Sequence, residues 1–396
     1  MKVYARTLDK QPGFTMGEWK NFQPLSEDTG SAEVYYYDRH DRSMRNIPFE
    51  DCVDEQHWRR LRQGRARLII NYSDDYFNIV DLKHMLGVLK SNSVDPGSVY
   101  WLVMDPLWER FALQEMERAA YVSPVQSLPL LANRAVSAFP RRFAQLPQRK
   151  YSILSRNYRP WRLEFYLRLR SKGILDQSYF SFHNWDPYGR FYYSHEQLHR
   201  DARSRKLLSP ANREWIDGAP WDIGSVTDKY NSVTYDCIQA SDIHLLIESH
   251  WDPYMFEPLR INEGRDYTPR QWAPAFATEK FYKAILLARP TLPISTPWFW
   301  QDLAQLGYDS YTSLFDYAFD SEESENSRLA GILHNIDAIE STPRDEYLDR
   351  LSSANTVAQH NRIVFLEWFR QPKLTGEFEW CRQLFDRKKL PPRWFG

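Results

Sequence analysis

The chain has 396 residues, 51 Lys or Arg against 52 Asp or Glu, and a formal net charge of −1. That balance excludes a global field that would recruit nucleic acid or an anionic membrane, and the length sets an expectation of two domains, each with its own core. Residues 1–60 are polar and aromatic, and offer a strand or two and no motif. Regular patterning begins at RLIINYSDDYF, where Leu68, Ile69 and Ile70 predict a buried strand that delivers Asp74 and Asp75 at its carboxyl end. A helix over 79–89, a strand over 99–104 closed by Asp105-Pro106, a helix over 107–120 and a strand over 127–131 follow. Strand and helix alternating at this spacing predict a parallel α/β sheet. The run RAVSAFPRRFAQLPQRK breaks the rhythm with two prolines and is the expected domain junction.

A second unit starts with Tyr151 to Leu154 as strand. The predicted helix Pro160 to Lys172 comes next, with proline at its first position and Gly173 at its end. Ser178 to Phe182 predicts a strand with His183 just beyond it, and Ile243 to Ile247 predicts another, followed by Glu248. In ATEKFYKAILLARPTLPISTPWFWQDLAQLGY, Thr278 is the expected cap of a helix whose apolar face is Phe281, Ala284, Ile285 and Ala288. Pro290 ends that helix, Thr291 to Ile294 is a short strand, and Thr296-Pro297 opens a further helix. The stretch 316–349 is acidic, and helices are expected over 356–370 and 378–388. The resulting domain expectation is 1–140, 150–340, and C-terminal helices over 341–396 that pack back across both.

Three widely spaced cysteines, Cys52, Cys237 and Cys381, suit a reduced compartment without a disulfide framework. The first residues, MKVYARTLDKQPGF, lack an apolar signal core, and no stretch approaches the length of a membrane span. A cytoplasmic location is the expectation.

Several constellations carry candidate chemistry. Glu279-Lys280 sits in a first helical turn, where a carboxylate beside free backbone donors suits a ribose hydroxyl and an ammonium suits a phosphate; a solvated first turn is the alternative. Between Arg141 and Lys172 there are ten Lys or Arg and one acid, Glu164. On a strand-to-helix turn such charge suits a pyrophosphate, with Arg156, Arg159 and Arg162 as contacts and Arg168 and Arg170 in solvent. The same run also suits a nucleic-acid backbone, in a protein that binds without catalysis. His195-Glu196-Gln197-Leu198-His199 matches HExxH, the zinc-hydrolase spacing, with Glu214 as a third ligand; Ser194 as a cap and the charged residues that follow point instead to a solvated helix start. Asp74, Asp75, His183 and Glu248, each at or beyond a strand end, are acid–base candidates, or helix caps and loop hydrogen-bonding groups. The chain has no GxGxxG, Walker A or GxSxG motif and no Asp-x-Asp triplet. Neutralisation of a pyrophosphate is therefore expected from Arg, Lys and helix dipoles rather than from a metal held by such a triplet.

The segments LSRNYRPWRLEFYLRLRSKGILD, IHLLIES, FATEKFYKAILLARPTL and LGYDSY together resemble GT-B glycosyltransferases of the bacteriophage and giant-virus type, which share a C-terminal motif with the fucosyltransferase family. The resemblance covers about half of the second domain. It implies two Rossmann-like domains facing across a cleft and a nucleotide-sugar donor, UDP-linked by expectation. Glu279 would hold the ribose, and Lys280 and Arg156 the diphosphate. Arg159, Arg162 and Thr278 complete the implied donor site, and Asp74 or Asp75 is the expected base. The implied acceptor is a hydroxyl group, with hydroxymethylated pyrimidine in DNA the first to test. PISTPW, residues 293–298, departs from the family, which carries a glycine-containing turn there.

Overall fold

The computed structural model describes residues 3–5, 33–38, 49–53, 55–72, 79–103, 139, 142–185, 192–221, 232–248, 251 and 277–370. Asp74, Asp75, the elements expected over 107–120, 127–131 and 378–388, Asp105-Pro106 and Cys381 lie outside these residues. The chain divides into two compact units, one of residues 1–130, 256–272 and 368–396, the other of 131–255 and 273–367. The architecture is α/β, with a four-stranded parallel sheet in each unit.

In the first unit the strands β1 (Val3–Ala5), β2 (Glu33–Asp38), β3 (Ala66–Tyr72) and β4 (Val99–Val103) lie in chain order across the sheet. Helices α1 (Glu55–Arg62) and α2 (Ile79–Ser91) connect them. Leu68, Ile70 and Val99 of the sheet are buried, as are Trp58 and Leu61 of α1 and Met85 and Leu89 of α2.

The second unit contains β5 (Arg149–Asn157), β6 (Ser178–Trp185), β7 (Ser241–Ile247) and β8 (Thr291–Ile294), in the spatial order β6-β5-β7-β8. The order reverses between β5 and β7, which makes the carboxyl ends of those two strands a topological switch point. Six of the seven residues of β7 are buried and all four of β8, as expected of parallel strands covered on both faces. Around the sheet are α3 (Pro160–Ser171), α4 (His195–Ser204), α5 (Pro210–Asp217), α6 (Ser232–Gln239), α7 (Glu279–Leu286), α8 (Phe299–Ala304), α9 (Glu325–Ser341) and α10 (Arg344–Arg370). No helix among the described residues is long and apolar enough to cross a membrane.

Local chemistry explains most boundaries. α3 starts at Pro160 and ends before Gly173, whose φ of +72° an L side chain rarely adopts. β6 runs three residues beyond the expected Phe182, so His183 lies inside the strand and is buried. α7 stops at Leu286 rather than at Pro290, because Ala288 turns into the left-handed region with φ +49°. α8 departs most. It begins at Phe299, after Trp298 with φ +61°, and Thr296 does not cap it. The Asp320 carboxylate does so instead, accepting from the backbone N–H groups of Trp300 and Gln301 at 3.1 Å each.

The acidic stretch contains an unexpected helix, α9, whose Leu329, Ile332, Leu333, Ile336 and Ile339 are buried. Gly331 of this helix lies against Phe319: a Cβ at position 331 would sit 2.5 Å from the Phe319 Cβ. Helix propensity alone favours Gly331→Ala by about 1 kcal/mol, whereas overpacking costs about 1–3 kcal/mol. Net destabilisation of about 1 kcal/mol is expected in urea unfolding, and a more stable variant would refute this close approach.

Candidate functional site

The carboxyl ends of β5 and β7 and the starts of α3 and α7 carry the residues expected to hold the donor. Arg156 is the last residue but one of β5, Arg159 occupies the N-cap of α3, and Arg162 is in that helix's first turn. Thr278 caps α7, and its Oγ1 accepts from the backbone N–H of Lys280 at 3.3 Å; Glu279 and Lys280 are the first two residues of the helix. Two helix starts and two strand ends therefore meet near the switch point.

Glu248 joins them. It directly follows β7 and is fully buried. Its Oε1 accepts from the Thr278 backbone N–H at 3.0 Å and its Oε2 from the Thr278 hydroxyl at 2.6 Å. The Lys280 ammonium donates to Thr278 Oγ1 at 3.1 Å and lies 3.8 Å from Glu248 Oε2. On the other side, Arg162 Nη2 donates to the Glu248 backbone carbonyl at 2.6 Å and Nη1 to Ser155 Oγ at 3.3 Å. Arg162 thus spans β5 and β7 from beneath the turn. Burial, and then the neighbouring Arg159 charge, push its pKa down to about 10, against the attraction of Glu248. The guanidinium remains charged at neutral pH. Sequence reasoning had Glu248 as an acid–base candidate, but its bond to a residue 30 positions away leaves no local signature.

Beside this cluster, Trp161 stacks on Trp251 with ring centres 5.4 Å apart and planes inclined by 19°. The Arg328 guanidinium lies 4.1 Å from the centre of the Trp251 ring and is buried. It donates to the carbonyls of Ser295 at 3.1 Å, Glu322 at 2.7 Å and Trp251, so it binds the chain leaving β7 and the chain leaving β8 to α9.

Much of the basic run is neutralised within its own unit. Arg168 donates to Glu164 Oε1 at 2.9 and 2.7 Å, and Arg205 to Glu164 Oε2. Arg170 donates to Asn212 at 2.9 Å, Lys172 pairs with Asp337 at 2.7 Å, and Lys150 with Glu340 at 2.8 Å. Arg168 and Arg170, expected in solvent, are instead half-buried: Arg168 pairs with Glu164 one turn back on α3, and Arg170 reaches Asn212 of α5.

The HExxH residues point to separate partners. The Ser194 side chain caps α4 by accepting from Gln197 N–H at 3.2 Å. His195 Nε2 is 3.0 Å from the Ala219 carbonyl, His199 Nε2 is 2.9 Å from Asp217, and Glu214 is exposed. Among the described residues, no group of three or more His, Cys, Asp or Glu side chains is arranged to hold a metal ion. Cys237 is buried, and burial pushes its thiol pKa up to about 12, so it does not offer a thiolate nucleophile.

No family model matches the chain, and no curated protein matches it.

Proposed function

We propose that the chain is a glycosyltransferase that moves a sugar from a nucleotide-sugar donor to an acceptor hydroxyl, with the diphosphate held at the carboxyl edge of the second sheet. The observation that carries this reading is the linked cluster of Arg162, Glu248, Thr278 and Lys280 beside a topological switch point. Open α/β sheets bind ligands at such a point, and helix starts favour anions there. Among the described side chains there, Arg159, Arg162 and Lys280 stand against Glu248, three cationic side chains to one carboxylate. That surplus suits a nucleoside diphosphate.

In this scheme the acceptor hydroxyl gives its proton to a carboxylate, for which the sequence offers Asp74 or Asp75. The acceptor oxygen forms a bond to the anomeric carbon as the bond from that carbon to the diphosphate oxygen breaks. In this proposal the negative charge that develops on the leaving diphosphate is met by Lys280 and Arg156, with the buried Arg162 adding its charge. Glu279 binds the ribose hydroxyls. The GT-B arrangement of the two units, a UDP-linked donor and a hydroxymethylated pyrimidine of DNA as acceptor belong to the same proposal.

Thermal unfolding with and without UDP, GDP and their sugar conjugates tests it. A ligand at a hundred times its dissociation constant stabilises the fold by about 2.7 kcal/mol, and Lys280→Ala is expected to remove most of that gain at the same concentration. Mass spectrometry of hydroxymethylated DNA after incubation with the binding donor tests transfer. Absence of stabilisation by every nucleotide would sink the proposal.

A further inference from the structure

We propose that Glu248 is a positioning residue: through the Thr278 hydroxyl it fixes the direction in which Lys280 is presented to a diphosphate. The inference rests on the nucleotide-binding reading above. A carboxylate only accepts hydrogen bonds, whereas a hydroxyl has one proton to give. With Glu248 Oε2 at 2.6 Å, the Thr278 hydroxyl proton points to Glu248. The lone pairs of Oγ1 then face the two Lys280 donors, the backbone N–H at 3.3 Å and Nζ at 3.1 Å. The negative charge at 248 thereby sets the polarity of the whole cap.

Its burial makes the arrangement stiff. Glu248 N–H donates to the Ile294 carbonyl at 3.1 Å, its own carbonyl accepts from Arg162, and its Oε1 accepts from Thr278 N–H. One residue therefore connects the cation beneath the β5 turn with the cation on α7. An amide at 248 changes the pattern. With its oxygen kept on the Thr278 N–H, its NH2 faces Oγ1 and occupies a lone pair, and the displaced hydroxyl proton competes with the Lys280 ammonium. The ammonium loses its seat although the side-chain shape is unchanged.

Electrostatics and positioning predict opposite signs. Glu248→Gln removes a negative charge 3.8 Å from the Lys280 ammonium, which by charge alone strengthens binding of an anion. Loss of the seat weakens it. Calorimetric titration with UDP, and separately with inorganic pyrophosphate, is expected to show about tenfold weaker binding by Glu248→Gln. Thr278→Val is expected to weaken binding similarly, Thr278→Ser to restore it, and the Glu248→Gln/Thr278→Val double variant to be no worse than either single one, since both break the same relay. A purely structural role would lower the melting temperature and leave the affinity of the folded protein unchanged.

Equal or tighter binding by Glu248→Gln overturns the inference and leaves the proposed function standing. If that variant does not fold, the Val and Ser variants at 278 decide: equal affinity in both overturns it. If the unmodified protein binds neither UDP, GDP nor pyrophosphate, the proposed function and this inference fall together.

Discussion

Replacing Arg328 with methionine is expected to lower stability by about 3 kcal/mol or more, since buried carbonyls deprived of a donor cost about 1–3 kcal/mol each. Arg328 gives hydrogen bonds to the carbonyls of Ser295, Glu322 and Trp251, and its guanidinium plane covers the Trp251 ring. Methionine fills the volume and supplies no donor. For a unit of this size the melting temperature should fall by roughly 6–12 °C, at about 2–4 °C per kcal/mol. Lysine should recover only part of the loss, because one ammonium cannot span carbonyls arranged around a planar fork. A methionine variant within half a kcal/mol of the parent, about the scatter of neutral surface substitutions, would show that these bonds contribute little.

The second large effect is a loss of stability in acid that traces to His244. This side chain lies in the middle of β7 and is buried, with Nδ1 2.9 Å from Ser152 Oγ, which is itself 2.9 Å from Ser241 Oγ. Burial pushes its pKa down to about 3; a hydrogen bond to the Ser152 backbone opposes the shift and the Lys283 charge adds to it. The folded value is below the unfolded value of about 6.5, so in acid the unfolded chain takes up a proton that the folded chain refuses. The contribution is fully present above pH 6.5 and is lost as pH falls from there towards 3. The linkage amounts to about 2 kcal/mol by pH 5 and about 4 kcal/mol by pH 3.5. Carboxylates add their own acid dependence, so the measurement is a comparison of two proteins. His244→Asn keeps a polar group near Ser152 and has nothing to titrate in this range. Urea unfolding between pH 7.5 and 5 should fall more steeply for the parent than for the asparagine variant, and parallel curves would exclude His244 as the cause.

Local chemistry was legible, and distant pairings were not. Thr291–Ile294 is read residue for residue as β8, because Pro290 precedes it and a turn follows. Pro160 and Gly173 bracket α3, and the cap at Thr278 follows from its place before an apolar period of 3.6. α9 was missed because its acids and polar residues dominate the composition of the stretch. The spacing of Leu329, Ile332, Leu333, Ile336 and Ile339 was there to find it. By contrast, no spacing rule assigns the α8 start to Asp320, some 20 residues on, or connects Glu248 with Thr278, 30 residues on. Among the site residues, types and strand-end positions were readable, but burial was not. Arg162 faces inward because its fork reaches Ser155 and the Glu248 carbonyl, and a count of cations in a basic run cannot reveal that.

α9 is anchored at both of its ends. Near its start Arg328 grips the segments that leave β7 and β8, and near its finish Glu340 accepts from Tyr151 and Gln177 and pairs with Lys150, where β5 and β6 begin. Its 17 residues span about 25 Å at 1.5 Å per residue. A strut clamped across the sheet in this way resists pivoting, since any rotation would have to tear out one set of bonds or the other. Cross-linking α9 to the sheet should therefore leave the nucleotide binding proposed above unimpeded.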